Sequence, residues 1–342
     1  MSRSCPKRPP ALAGRPGRCA GVLGLVLLAG ACTETLDAGH NLPHGLLPVD
    51  ERNPVILYQD DWSGDWLGEY AALLANSGGP QLAGIIVNAS KIWADLNINV
   101  GGWKDFVAAA RSSGLKNIPD VIASSGAPLI RPADGLIDST VANGSAGANL
   151  IVNVSRQLST AARPVVVVSG TSLTDIADAY ILDHAVVDRV VVVAALGSSA
   201  APNGVMGPPN GDMDPWADWI VSQRFRYIQA STWYDQTGDV TAAGVPNLPQ
   251  NPLGSRMASK QPNIIKVTTA ADQVALLSVA LPRFVAAVQR VSPDTAATFD
   301  PTQGPRLLAD PSGDDWVVTQ IVAQLAGSRL WEMLSDPSTF SH

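Results

Sequence analysis

The sequence has 342 residues, of which 46% are hydrophobic, and a formal net charge of −7. This length and apolar content are sufficient for one large domain with its own hydrophobic core. Because an acidic surface repels phosphate backbones, the charge excludes nucleic acid as an expected partner.

The N-terminal segment has the features of an export signal. Residues 1–18 contain five basic side chains and no acidic one, and an apolar run over 20–31 then ends at Cys32. The run is shorter than the roughly 20 apolar residues of a membrane-spanning helix. Its ending, Leu-Ala-Gly-Ala-Cys, resembles a bacterial lipobox, which predicts lipidation of Cys32. We therefore expect residues 1–31 to be a signal peptide and the mature protein to be an exported lipoprotein of the cell envelope, bound to the membrane by its N-terminal lipid anchor.

A tether and a single domain are predicted after the signal peptide. Residues 32–53 mix proline, glycine and polar residues without periodicity, which is typical of a linker. The domain then spans 54–342. All three cysteines lie at or before Cys32, so the domain has no disulfide, no cysteine metal ligand and no cysteine nucleophile. The sequence leaves the oligomeric state open.

Short apolar runs alternate with helical stretches along the domain. The strand candidates are Val55–Tyr58, Ala83–Asn88, Asp120–Ala123, Pro164–Ser169, Arg189–Ala195, Tyr227–Ala230 and Asn263–Val267. The helix candidates are 65–76, 102–113, 146–161, 174–183, 214–223, 271–289 and 313–335. Continuous valine runs indicate strands that are buried on both faces. The pattern predicts an α/β fold, with a doubly wound, mostly parallel sheet and helices on both of its faces.

Three carboxylates follow the first predicted strand, namely Asp60, Asp61 and Asp65. In open α/β sheets, ligands bind at the carboxyl ends of the strands. Acids this close to one another repel, which raises their pKa values or recruits a hard cation such as Ca²⁺. The local sequence alone favours a simpler alternative, in which Asp65 caps the next helix and the other two acids face solvent.

Six segments occur in the same order as the motifs of nucleoside hydrolases and resemble them. They are VILYQDDWSGD (55–65), LAGIIV (82–87), DVIASSGAPLIRP (120–132), VVVVSGTSLTDIA (165–177), DHAVVDRVVVVAALG (183–197) and NGDMDPWA (210–217). Near the end, Asp314-Asp315 stands where the family has His-Asp before a helix. From about 54 to 330 the chain thus resembles a divergent member of the inosine/uridine-preferring nucleoside hydrolase-like family, which implies that family's Rossmann-like fold.

The resemblance implies a calcium site and a reaction. The family's Ca²⁺ ligands correspond to Asp60, Asp65, the Thr174 carbonyl and Asp315. Ca²⁺ would activate a water molecule, and Asp60 would take the proton as that water attacks the anomeric carbon. This implies a metal-dependent hydrolase of N-ribosyl or related glycosidic bonds, acting outside the cytoplasm on a small-molecule sugar or nucleoside.

Three residues are candidates for substrate binding. Asn210 and Asp314 occupy positions that the resemblance assigns to substrate contacts. Trp62 replaces a family glycine beside the metal, and tryptophan faces stack on sugar rings or bases. We expect two of the six tryptophans near the motifs to line the pocket (Trp62, Trp66, Trp93, Trp103, Trp216 and Trp316).

The sequence also departs from the family at positions that bear on catalysis. Tyr58, Gly64 and Pro208 each stand where the family has an acid. These changes support an alternative, a catalytically inactive lipoprotein that uses the same pocket to bind a sugar or nucleoside. The retained Asp60, Asp65 and Asp315 favour the hydrolase over this alternative.

Overall fold

The computed structural model describes residues 45–61, 66–195, 210–230, 240–241, 248–260, 264–265, 271–302 and 304–340. All of them lie in the second of the chain's two compact units, Leu36–His342. The helices in these ranges lack the length and apolar character that crossing a membrane requires. The predicted signal peptide and Cys32 lie outside the described residues.

Most of the described strands belong to one sheet. The strands are β1 (Val55–Gln59), β2 (Leu82–Val87), β3 (Val121–Ala123), β4 (Val165–Ser169), β5 (Val190–Ala195), β6 (Arg226–Ala230), β7 (Val240–Thr241), β8 (Ile264–Ile265), β9 (Val285–Pro293), β10 (Leu307–Ala309) and β11 (Asp315–Ile321). The large sheet has the order β10-β9-β11-β6-β5-β4-β1-β2-β3, and β7 pairs separately with β8. The strands from β11 to β3 run parallel, whereas β9 and β10 pair antiparallel at one edge.

Helices cover both faces of this sheet. They are α1 (Leu67–Asn76), α2 (Leu96–Ser112), α3 (Ala146–Leu158), α4 (Thr174–Leu182), α5 (Pro215–Arg224), α6 (Pro252–Lys260), α7 (Ala271–Ala280) and α8 (Ala323–Ser335). Leu57 belongs to a core cluster with Phe106 of α2 and Leu276 of α7. Its neighbour Ile56 belongs to the opposite cluster, with Ile176 of α4. This alternation confirms the predicted doubly wound α/β fold.

The valine runs explain why the central strands form where they do. Every residue of β1, β4 and β5 is buried. β-Branched side chains favour the extended backbone, and helices on both faces keep such strands dry. The positions of the central strands were therefore predictable from their runs of β-branched residues.

The strand order of the sheet reverses between β1 and β4. From β1 the chain continues to β2 and β3 on one side, and β4, β5 and β6 follow on the other side. Such a reversal leaves a crevice at the carboxyl ends of the two strands beside it, which is where ligands bind in this fold class. Asp60 and the 170–174 loop lie at this crevice.

Two helix predictions are wrong in part. The helix predicted over 271–289 ends at Ala280, and β9 starts at Val285. The helix predicted over 313–335 begins instead with β11, and only α8 is helical. Val317 and Val318 are β-branched, and β11 pairs with β6 on one side and β9 on the other, so sheet pairing prevails over the helical period.

Part of the predicted tether belongs to the domain. Leu47 and Val49 are buried in the core cluster that contains α1 and α2. Asn53 is also buried, and its Nδ2 donates to the Pro164 carbonyl at 2.8 Å. The packed domain therefore includes residues 45–53, which lie before its predicted start at 54.

Candidate active site

The crevice between β1 and β4 is fixed by backbone hydrogen bonds. Gly170 N donates to the Tyr58 carbonyl at 2.9 Å, and Asn88 N donates to the Gln59 carbonyl at 2.9 Å. The segments that leave β1, β2 and β4 are thus held side by side. Asp60 is the first residue after β1 and lies between the other two segments.

Asp60 is a buried acid with an unsatisfied oxygen. The residue is only 4% exposed, and among the described residues its Oδ2 has no hydrogen-bond partner. Burial, with a smaller contribution from the Asp61 charge, raises the pKa of the Asp60 carboxyl to about 6, although the Ser90 and Thr171 hydroxyls oppose this rise. A buried carboxylate oxygen without a donor costs free energy unless a proton or a cation reaches it.

Asn88 and Tyr58 connect the loops around Asp60 through buried hydrogen bonds. Asn88 Nδ2 donates to Tyr58 Oη at 2.7 Å, and Thr171 Oγ1 donates to Asn88 Oδ1 at 3.0 Å. Tyr58 Oη also accepts the Asp175 backbone N–H at 3.3 Å. Both side chains are fully buried. Tyr58, which stands where the family has an acid, therefore orders the loops beneath the crevice and has no access to a ligand.

Asp272 is a site residue that the sequence interpretation missed. It lies in the first turn of α7. A methyl group built on Gly170 would lie 2.2 Å from Asp272 Oδ2 and 2.3 Å from Gln59 Oε1, so the carboxylate lies directly against the crevice. The predicted helix that starts at 271 was the available signal, because an acid is favoured in the first turn of a helix.

Asp315, predicted as a calcium ligand, lies elsewhere. It is the first residue of β11, a strand and not a helix, and its Oδ1 accepts the Tyr227 N–H at 2.8 Å. β11 is four strands away from β1 in the sheet. At about 4.8 Å per strand, Asp315 and Asp60 are on the order of 20 Å apart. The structure therefore contradicts the assignment of Asp315 as a calcium ligand. That assignment rested on the similarity of Asp314-Asp315 to the family's His-Asp and did not take into account the secondary structure around the pair.

Asp314, predicted to contact substrate, is also remote from the crevice. Its side chain is 86% exposed and forms an ion pair with Arg290 at 3.3 Å. Arg290 belongs to β9, near the antiparallel edge of the sheet. The structure therefore does not support the predicted substrate contact of Asp314.

Thr174 and Asn210 lie near the crevice, and their side chains are bonded within the protein, while the predicted role of the Thr174 carbonyl stays a prediction. Thr174 is the first residue of α4, and its Oγ1 donates to Asp214 Oδ2 at 2.8 Å. Asn210 Nδ2 donates to the Ala195 carbonyl at the end of β5, at 2.8 Å. Asp214 also accepts N–H groups from Leu129 and Ala217. These bonds fix the wall of the crevice on the β5 side.

Three of the six tryptophans near the motifs are structural. Trp66, Trp103 and Trp216 are buried, and each indole N–H donates to a protein oxygen. Trp103 Nε1 bonds the Asp61 carbonyl at 2.9 Å and so fixes the chain after Asp60. Trp93 is the exception, with 39% of its surface exposed. Trp62 and Asp65 lie outside the described residues, as do Gly64 and Pro208.

A hard cation fits the donor chemistry at this crevice. The orphaned Asp60 Oδ2 and the Asp272 carboxylate supply oxygen, the ligand atom that Ca²⁺ prefers. Within the described ranges, no three acidic, histidine or cysteine side chains are close enough to hold a metal. Any complete protein ligand set must therefore draw on backbone carbonyls or on residues beyond those ranges.

Solved structures share this fold over most of the chain. An inosine–guanosine nucleoside hydrolase has 16% identity and a TM-score of 0.58, and the match covers 82% of this chain and 98% of that one. An inosine–uridine-preferring nucleoside hydrolase from Bacillus anthracis has 15% identity and a TM-score of 0.54, covering 82% and 99%. The type III effector XopQ, complexed with adenosine diphosphate ribose, has 13% identity and a TM-score of 0.52, covering 86% and 95%.

These similarities establish the fold. No family model and no curated protein matches the sequence. The structural matches confirm the nucleoside hydrolase-like, Rossmann-like fold that the sequence motifs implied.

Proposed function

We propose that the protein is a metal-dependent hydrolase of N-ribosyl or related glycosidic bonds. The observation that supports this most directly is Asp60, a buried acid with an unpartnered oxygen at the switch point of a nucleoside hydrolase fold. A buried acid with a pKa of about 6 is suited to take a proton near neutral pH. Asp60 would therefore act as the base toward the attacking water.

Ca²⁺ is the cation that we propose for the site. Asp60 and Asp272 would bind it, with Asp65 and the Thr174 carbonyl completing the set by resemblance. When bound, Ca²⁺ would supply positive charge that activates water and orients sugar hydroxyls. Thr171 and Ser90 would hold the Asp60 carboxylate in place, because both hydroxyls act on it. The ligand would be a small-molecule sugar or nucleoside.

The experiment is a turnover assay on p-nitrophenyl riboside and a panel of nucleosides, with Ca²⁺ or with a chelator. Asp60→Asn should lower kcat/KM by about 10²–10⁴-fold, since it removes the base. Asp315→Asn is the matched control, because this acid is remote from the crevice and its isostere keeps the Tyr227 hydrogen bond. Equal losses in the two variants would refute the proposal.

An inactive binding protein is the second candidate. Asn88 and Asn210 are amides beside the crevice, and the protein itself uses both side chains. Fewer polar side chains are then available to bind and orient a sugar for catalysis. Sugar or nucleoside binding measured by calorimetry, with no product formed at any Ca²⁺ concentration, would establish this alternative.

We also propose that the protein works outside the cytoplasm, anchored through Cys32. The basic segment, the short apolar run and the lipobox-like ending support this. Cys32→Ala should move the protein from the membrane fraction to the soluble fraction of the cell envelope. Unchanged membrane association would contradict lipidation.

A further inference from the structure

Lys91 lies at the mouth of the crevice, on the loop that follows β2. This loop is held rigidly by its own hydrogen bonds. Ser90 Oγ accepts the N–H groups of Ile92 and Trp93 at 3.2 and 3.1 Å. Asn99 Nδ2 donates to the carbonyls of Asn88 and Trp93, at 3.1 and 2.9 Å. The position of Lys91 is therefore determined by the fold.

The Lys91 side chain reaches across the mouth. Its Nζ donates to the Asp212 carbonyl at 3.2 Å. Burial raises the pKa of Asp214, and the Lys91 charge is the smallest of the effects that oppose this rise. On the other side, its neighbour Ser90 bonds the Asp60 carboxyl. Strands β1 and β4 separate β2 from the β5 side of the sheet, so the ammonium lies above the crevice that contains Asp60.

The Lys91 ammonium has donors left for a ligand. An ammonium has three N–H groups, and the Asp212 carbonyl accepts one of them. Within the described part of the chain, no carboxylate forms a salt bridge with it, and the residue is exposed. A positive charge in an otherwise acidic mouth favours the approach of a group that is or becomes negative.

Glycosidic cleavage creates such a group. When the bond to the anomeric carbon breaks, its electron pair goes to the leaving group, which must be protonated or stabilised as an anion. The sequence has four histidines, at 40, 44, 184 and 342. His184 lies in a 3₁₀ turn between α4 and β5, at the opposite end of the sheet, where it stacks on Tyr180. Asp314 is remote as well. Lys91, by contrast, lies at the mouth of the crevice.

We propose that Lys91 contacts the leaving group and stabilises the negative charge that develops on it as the glycosidic bond breaks. This inference rests on the proposed hydrolase function. The proton removed from the attacking water passes to Asp60, and the leaving group departs with the bonding electron pair as an anion beside the Lys91 ammonium. Solvent then protonates that anion. The role would suit substrates whose leaving group is poor, such as nucleosides.

The test compares two substrates that differ in leaving group. The bond to p-nitrophenolate, a stable anion, breaks with little help, whereas the bond to the base of inosine needs it. Lys91→Met should lower kcat/KM for inosine by about 10²–10³-fold, the usual loss for one charge-stabilising donor. For p-nitrophenyl riboside the loss should be under about threefold. Lys91→Arg, which keeps the charge, should restore part of the inosine activity.

Lys104→Met is the matched control, since Lys104 is exposed on α2 and should affect neither substrate. Thermal unfolding of each variant, expected to be unchanged, separates a local effect from misfolding. Equal losses on both substrates, or no loss on either, would overturn the role of Lys91 while leaving the hydrolase function intact. Absence of turnover by the wild type on both substrates would refute the hydrolase function, and the Lys91 inference with it.

Discussion

Asp60 and Asp315 are similar acids in different parts of the sheet. They are 4% and 5% exposed, and burial raises their pKa values to about 6 and about 7. Asp315 Oδ1 accepts a backbone N–H inside the sheet, whereas Asp60 Oδ2 has no partner within the described part of the chain. Only Asp60 lies where the strand order reverses. Burial and a raised pKa therefore do not distinguish the two acids. Their places in the topology and the unmet hydrogen bonding of Asp60 do.

The largest expected effect separates Asp272 from Asp315. Asp272→Asn should weaken Ca²⁺ binding at least about 100-fold, more than typical losses from changes in the shell around a metal site. Asp315→Asn should leave it unchanged. The measurement is the rise in Tm across a Ca²⁺ titration, because a ligand bound to the folded state stabilises by about 2.7 kcal/mol at 100 times its Kd. A comparable loss in Asp315→Asn would restore that acid to the site.

A smaller effect is expected from Gly170, which separates Asp272 from the end of β1. In Gly170→Ala the added methyl would lie 2.2 Å from Asp272 Oδ2, so that carboxylate must move. We expect turnover to fall at least about tenfold, since small displacements of a positioned group cost about that much or more. Gly101→Ala is the control, because a methyl there meets nothing within 4 Å and α2 should gain about 0.5–1 kcal/mol. Full activity in Gly170→Ala would exclude Asp272 from the mechanism.

The sequence predicts where Asp60 lies in the fold but not where Asp315 lies. The valine-rich strands and the acids that follow β1 are local features, so the fold class and the position of Asp60 follow from them. Asp315 was misplaced because the helix-like spacing of its neighbours competes with sheet pairing to β6 and β9, which the chain near 315 does not contain.

Other site features depend on distant parts of the chain. Asn88 and Tyr58 are 30 residues apart, and Asn88 and Thr171 are 83 apart. The local sequence around each residue does not show that these side chains bond one another. Nor does it show that these bonds make the side chains unavailable to a substrate. Asp272 could have been found, because acids are favoured in the first turn of helices. The sequence interpretation chose Asp315 instead, because the Asp314-Asp315 pair is more similar to the family's His-Asp.

The smallest effect concerns how the two acids couple stability to pH. Because the folded-state pKa of each lies above the ordinary value of 3.8, the folded protein binds their protons more tightly than the unfolded chain does. Their contribution to stability is complete below pH 3.8 and is lost as the pH rises through about 6 for Asp60 and about 7 for Asp315. Without metal, the free energy of unfolding should fall over this window.

Asp315→Asn tests this coupling, because the amide keeps the Tyr227 hydrogen bond but cannot ionise. Its free energy of unfolding should fall less between pH 5 and pH 8, by on the order of 1–2 kcal/mol. Urea unfolding with a chelator present measures this. Added Ca²⁺ should flatten the remaining slope from Asp60 in both proteins, since a bound cation favours the ionised acid. If Ca²⁺ flattens the slope only while Asp315 is present, the cation binds at Asp315, and the contrast between the two acids is reversed.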